Sequence, residues 1–193
     1  MTSDDPGFAA PELKAFLTSA DRHLKKKAEL VLIGGSAAAL AHGATSITDD
    51  IDSTEHPSSV LEAALEAARR ETGLAIPVGK STVADFPYEY ESRLVRCLPT
   101  LKRLKVWALE KHDLALSKAV RCEETDLQQL AEIHQRSPFD FDTLIARFQK
   151  EMGHAIGNPV TVRERFLTMI KRLFGELKMI EAGRRVPSRR RYS

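Results

Sequence analysis

Cysteine is nearly absent from this chain: Cys97 and Cys122 are the only two in 193 residues. Two thiols so placed fit neither a zinc site nor a disulfide framework, and free thiols point to a reducing compartment. Aromatic residues are also sparse, at 6%, so Leu and Ala must carry most of the burial. No apolar run approaches the ~20 residues needed to span a bilayer. Residues 1–8 are acidic and lack the apolar centre of a secretory signal. The expectation is a soluble, cytoplasmic protein with no membrane partner. The net charge is only +2, so neither sign dominates. His42, His56, His112, His134 and His154 are scattered without paired ligand spacing, which argues against a histidine metal cluster. No internal repeat or low-complexity linker interrupts the chain.

Apolar residues make up 42% of the chain, enough for a real core. Leu13, Phe16, Leu17, Ala20 and Leu24 recur at helical spacing behind Pro11. Leu30-Val31-Leu32-Ile33 reads as a strand buried on both faces. Gly34-Gly35-Ser36 breaks it, Ala37–Ala41 reads as a short helix, and Gly43 stops that helix. A second strand is expected to carry Asp50-Ile51-Asp52. A capping box at Ser59 and Glu62 opens a further helix ending near Gly73. Strands are expected at Leu74–Val78, Arg93–Cys97 and Leu101–Trp107. From His112 onward the chain reads as helix, with boxes at Thr125/Gln128 and Thr161/Glu164. One long final helix is expected to turn a stripe from Phe166 to Ile180 into the core.

The expected fold class is α+β: a small mixed sheet with flanking helices, followed by a C-terminal helical region. Residues 1–110 would form the α/β core, and 111–183 a helical region packed on it and completing the site. Residues 184–193 would be a basic tail with Arg184, Arg185, Arg189, Arg190 and Arg191. Such a tail either attracts polyanions or simply aids solubility.

The stretch from Gly34 to Asp52 concentrates the chemistry. Residues i and i+2 of a strand project from one face, so Asp50 and Asp52 would be held close and repel unless a cation lies between them. Their hard oxygens suit Mg²⁺ (or Mn²⁺), which keeps waters and borrows phosphate oxygens. Gly34 and Gly35 allow close backbone approach. Ser36 falls at a helix N-terminus, where N–H groups and the helix dipole favour phosphate. A nucleoside triphosphate with its metal satisfies both halves. Taken singly, Gly-Gly-Ser is a common turn and Asp-x-Asp a common solvated loop; their order and spacing carry the signal. The third glycine of a dinucleotide fingerprint and the Gly-Lys-Ser/Thr of a Walker loop are both missing.

This pattern resembles the polymerase-β-like nucleotidyltransferase superfamily. Gly34-Gly35-Ser36-Ala37, His42-Gly43, Thr48 and Asp50-Ile51-Asp52 look most like its AbiEii/MenT toxin-type branch, although Ser46 stands where that branch carries Arg. Asp113-Leu114-Ala115-Leu116-Ser117-Lys118, with Asp126 downstream, is similar to a helix of that branch. The resemblance implies that Lys118 contacts the triphosphate and Asp126 supports the site; both also read as ordinary helix-surface charges. It implies a third carboxylate on a later strand, with Glu91 the candidate and Glu89 the fallback, and a phosphate or RNA contact for Arg93. A solvated edge strand explains these last three nearly as well.

The implied activity is Mg-dependent transfer of a nucleoside monophosphate from an NTP to a hydroxyl. The implied acceptor is the 3′ end of tRNA, with the chain acting as a toxin beside a cognate antitoxin. Two alternatives remain: AMP transfer to a protein hydroxyl, and a catalytically degenerate binding module. Family members that modify proteins keep a shorter interval than the thirteen residues between Ser36 and Asp50.

Overall fold

The computed structural model describes residues 7–81 and 84–186. They fall into two compact units, residues 7–81 with 94–109, and residues 84–93 with 110–186. Among the described residues the architecture is α+β, with a five-stranded mixed sheet, helices flanking it and a C-terminal helical region.

The first unit opens with α1 (Ala10–His23), whose Leu13, Phe16, Leu17 and Ala20 are fully buried. β1 (Ala28–Leu32) follows, then α2 (Gly34–His42), which Gly43 stops in the left-handed conformation at φ 72°. β2 (Ile51–Ser53), α3 (Ser59–Thr72) and β3 (Val78–Lys80) come next. β4 (Val95–Cys97) and β5 (Leu104–Ala108) complete the sheet, in the order β3-β2-β1-β5-β4. β1 lies at the centre, antiparallel to β2 and parallel to β5 over Ala28–Leu32 against Leu104–Ala108. That central place explains its continuous apolar run. α1 packs on α3 and on α2. Phe8 forms a bridge with Thr48, its N–H 2.7 Å from the Thr48 carbonyl and its carbonyl 3.0 Å from the Thr48 N–H. This ties the start of the described chain to the loop ahead of Asp50.

Several boundaries differ from expectation, each for a local reason. Ser58, not Ser59, caps α3, accepting from Leu61 N–H at 3.4 Å. The run Leu74–Val78 is not a strand. Pro77 has no N–H for a ladder, and the Arg69 guanidinium takes the Ile76 carbonyl at 3.1 and 2.9 Å. The strand starts at Val78. The expected strand at Arg93 begins two residues later, behind a 3₁₀ turn at Tyr90–Arg93.

The second unit contains α4 (Lys111–Arg121), α5 (Glu124–Arg136), α6 (Phe141–Glu151), α7 (Pro159–Phe174) and α8 (Glu176–Arg185). α4 packs against α5, α6 and α7, and α7 against α8. The boxes at Thr125/Gln128 and Thr161/Glu164 are not formed. Asp126 reaches back to the Glu123 N–H at 3.2 Å, and Asn158 caps α7 through Val160 N–H at 3.0 Å. The single final helix is two, broken at Gly175 with φ +87°. The expected stripe stops with the first of them: Phe166, Met169 and Ile170 are buried, whereas Leu177 is 84% and Ile180 42% exposed. Arg184 and Arg185 belong to α8 rather than to a tail, and Arg189, Arg190 and Arg191 lie outside the described residues. No helix among the described residues is long and apolar enough to cross a membrane.

Candidate active site

Five of the expected residues lie in the first unit, within one crossover of the sheet. β1 ends at Leu32, and Ile33 in extended conformation caps α2. Gly34 then turns the chain at φ +59°, a left-handed value that costs any other residue ~1–2 kcal/mol. The first-turn N–H groups of Gly34, Gly35 and Ser36 have no intrahelical acceptor and point out of the helix start, where the dipole favours an anion. Ser36 is 1% exposed, and its hydroxyl donates to the Ile33 carbonyl at 3.1 Å. Its part in any anion cradle is therefore its main chain; the hydroxyl holds the turn.

β2 runs alongside this turn, with Ile33 N–H donating to the Asp52 carbonyl at 3.0 Å. Ile51 and Ser53 are buried on either side of Asp52, so alternation turns the Asp52 carboxylate to the other face. That face carries the glycine turn. A Cβ placed on Gly34 would stand 3.3 Å from Asp52 Oδ2 and 3.8 Å from Asp52 Cβ. Glycine and acid therefore touch, and the missing side chain is what leaves the carboxylate room. Asp50 departs from expectation: the strand begins at Ile51, and Asp50 lies in the bend before it, with Thr48 Oγ1 donating to its carbonyl at 3.3 Å. Both acids are half-buried. His42 at the end of α2 places Nε2 2.7 Å from the Leu109 carbonyl, fixing that helix to the strand end.

These residues fit a divalent cation. The Asp52 carboxylate beside an unblocked glycine turn offers the hard oxygen donor that Mg²⁺ takes from a protein, the other positions going to further oxygens, water and phosphate. Among the described residues no group of three or more His, Cys, Asp or Glu side chains is placed to hold a metal.

Lys118, Asp126, Glu91 and Arg93 lie in the second unit. Lys118 is 5% and Asp126 1% exposed, with Lys118 Nζ 2.9 Å from Asp126 Oδ1. Asp126 also accepts from Arg121 Nε at 2.9 Å and Nη2 at 2.7 Å. Burial pushes the Asp126 carboxyl up, but Arg121 and Lys118 outweigh it and hold it below its ordinary value. The two are not the surface charges that a helix wheel allows; they form a buried pair joining α4 to the first turn of α5. Arg93 grips Asp113, which is fully buried, through Nε at 2.8 Å and Nη2 at 3.0 Å, and Glu151 through Nη2 at 2.7 Å. Its guanidinium is thus engaged by two carboxylates of α4 and α6 rather than presented to phosphate. Glu91 is exposed on the 3₁₀ turn, not on a strand, and Glu89 is exposed in the turn just ahead of it, its N–H donating to Glu151 at 3.2 Å.

Sequence reasoning missed the rest of this network. Arg147 donates to Asp113 at 2.8 Å and to Glu110 at 2.6 Å. Glu110 caps α4 through His112 N–H at 3.0 Å and meets His112 Nδ1 at 2.7 Å. Burial raises the Glu110 carboxyl, but His112 and Arg147 prevail and bring it to about 2. The only signal in the sequence was a run of charges, Glu110 to Asp113, entering an apolar helix.

The family described as nucleotidyltransferase of unknown function (DUF6036) matches residues 12–171. No curated protein and no solved structure matches the chain.

Proposed function

The chain belongs to that nucleotidyltransferase family, and on this premise we propose that it transfers a nucleoside monophosphate from an NTP to an acceptor hydroxyl, Mg²⁺ being held by Asp50 and Asp52. The observation that carries this reading is the contact between the Gly34 turn and the Asp52 carboxylate. It sets an anion-favouring helix start against a hard oxygen ligand, Asp52, with Asp50 two residues before it, which suits a metal–triphosphate.

In this reading Asp50 and Asp52 would hold the metal, which would supply charge neutralisation at the phosphates. The main-chain N–H groups of Gly34, Gly35 and Ser36 orient the triphosphate and steady the charge that develops on the leaving pyrophosphate. The acceptor is the 3′ end of tRNA, the chain acting as a toxin of the AbiEii/MenT type with a cognate antitoxin as partner. Length supports this branch, because thirteen residues separate Ser36 from Asp50.

The test uses purified protein, each labelled nucleoside triphosphate, Mg²⁺, total tRNA and a cell lysate. Label is expected in tRNA, and Asp52→Asn is expected to remove it. Label in protein instead would move the reading to AMP transfer onto a hydroxyl side chain. No label with any nucleotide, or full activity of Asp52→Asn, would sink the catalytic reading.

A further inference from the structure

At the end of β1 away from the glycines, two loops of the first unit gather positive charge. Lys25, Lys26 and Lys27 lie between α1 and β1, and Lys102 and Arg103 lie just ahead of β5; all five are exposed. The loops are fixed side by side. Ala28 N–H donates to the Arg103 carbonyl at 3.0 Å, and Ala28 stands in register with Leu104. Asp21, near the end of α1, accepts from the N–H groups of Lys102 at 3.1 Å, Arg103 at 2.6 Å and Leu104 at 2.6 Å. Burial pushes the Asp21 carboxyl up, and these three donors outweigh it to leave it lowered. The acid is thus held on the backbone beneath the loops.

The neighbouring cations are already matched, Arg22 with Glu71 at 2.5 Å and Lys105 with Glu29 at 2.8 Å. Among the described residues none of the five is drawn into an ion pair, although Asp21 beneath the loops attracts Arg103. They concentrate more positive charge than the whole chain's net +2. The apolar residues nearby are turned inward, with Leu24 2%, Leu101 9% and Leu104 0% exposed. A membrane-docking face would present apolar side chains for insertion. A protein interface would present aromatic or apolar anchors and little Lys at its centre. A rigid cationic surface with neither has the character of a phosphate-backbone contact.

We propose that this surface binds the phosphate backbone of a nucleic-acid acceptor, several nucleotides from the hydroxyl that reacts. β1 and Ile33 place it roughly 20 Å or more from Gly34 at ~3.3 Å per residue, so only a polymeric acceptor reaches both ends. The inference deepens the proposed function, resting on it for where the reaction occurs but not for the binding itself.

The experiment measures binding of a fluorescent RNA hairpin with a single-stranded 3′ end by anisotropy, from about 50 to 200 mM salt. The full chain is compared with Lys26→Glu/Lys27→Glu/Lys102→Glu and with the same three positions changed to Gln, each first checked for an unchanged thermal melt. Charge reversal is expected to weaken binding at least about tenfold and to make the salt slope shallower by roughly 2–3, with the Gln form between. Unchanged affinity and slope would overturn the proposal. So would binding to phosphatidylserine vesicles, but not to RNA, that charge reversal abolishes. Patch-dependent RNA binding by a protein that transfers no nucleotide would sink the transferase reading and leave this one standing. Transfer to RNA whose KM ignores the reversal would do the opposite.

Discussion

Replacing Gly34 with Ala should separate catalysis from stability. At φ +59° an L-residue costs ~1–2 kcal/mol, partly offset by ~0.4–1 kcal/mol from a less mobile unfolded chain. The net cost is about 1 kcal/mol, a fall in Tm of roughly 2–4 °C for a chain of this size. The added methyl would stand 3.3 Å from Asp52 Oδ2, inside the ~3.5–4.0 Å at which non-bonded heavy atoms sit best. The carboxylate must therefore move by a few tenths of an ångström or turn away. Misplacing a reacting group by about 1 Å costs ~10²-fold, so a 10- to 100-fold loss in kcat/KM is expected, roughly 1.4–2.7 kcal/mol of transition-state stabilisation. Thermal melts and incorporation of labelled nucleotide on the same preparations decide the matter. A folded Gly34→Ala protein within twofold of the parent rate would refute the contact as the seat of chemistry. A melt lowered by 10 °C or more (about three times that estimate) would instead show that glycine serves the fold.

The helical unit offers three further tests. Asp126→Asn leaves Lys118 buried without its anion, and should cost ~3–5 kcal/mol in urea unfolding; a loss under about 1 kcal/mol would show the pair to be dispensable. Arg93→Ala uncovers the buried Asp113, which Arg147 still contacts at 2.8 Å, so a loss near the lower end, ~3 kcal/mol, is expected. An undiminished urea midpoint would contradict it. Glu110 has an ordinary value of 4.5 and about 2 when folded. Its stabilisation is fully present above pH 4.5 and is lost as the pH falls toward 2. Glu110→Gln should therefore lose less stability than the parent between pH 5 and pH 3, and parallel acid curves would rule this out.

The geometry of the proposed site was legible because it is local. Gly34 to Asp52 spans a turn, a helix of small residues and the next strand, and each announces itself by residue type. The Gly34–Asp52 contact needs only that β2 return beside β1. The second unit was harder to read for the converse reason. Charges at Arg93, Asp113, Arg147 and Glu151 come from three separate stretches, and a helix wheel shows each as surface. Only tertiary packing reveals that Asp113 is sealed. The same limit hid the pairing of Lys118 with Asp126. The long final helix misled because an isolated glycine inside an apolar stripe is compatible with a continuous helix; Gly175 ends α7 through its positive φ instead. The Leu74–Val78 run misled because Ile76 is buried without pairing in a strand.

The bridge between Phe8 and Thr48 has a practical side. A Cβ on Gly7 would meet Asp49 Oδ1 at 2.7 Å and the Thr48 carbonyl oxygen at 3.0 Å. The chain at residues 7–8 is thus mechanically joined to the loop that delivers Asp50. A substitution at residue 7 or 8 therefore acts on that loop as well. The same coupling makes a reporter: a small fluorophore attached at residue 8 should register any shift of the acid-bearing loop when metal and nucleotide are titrated in.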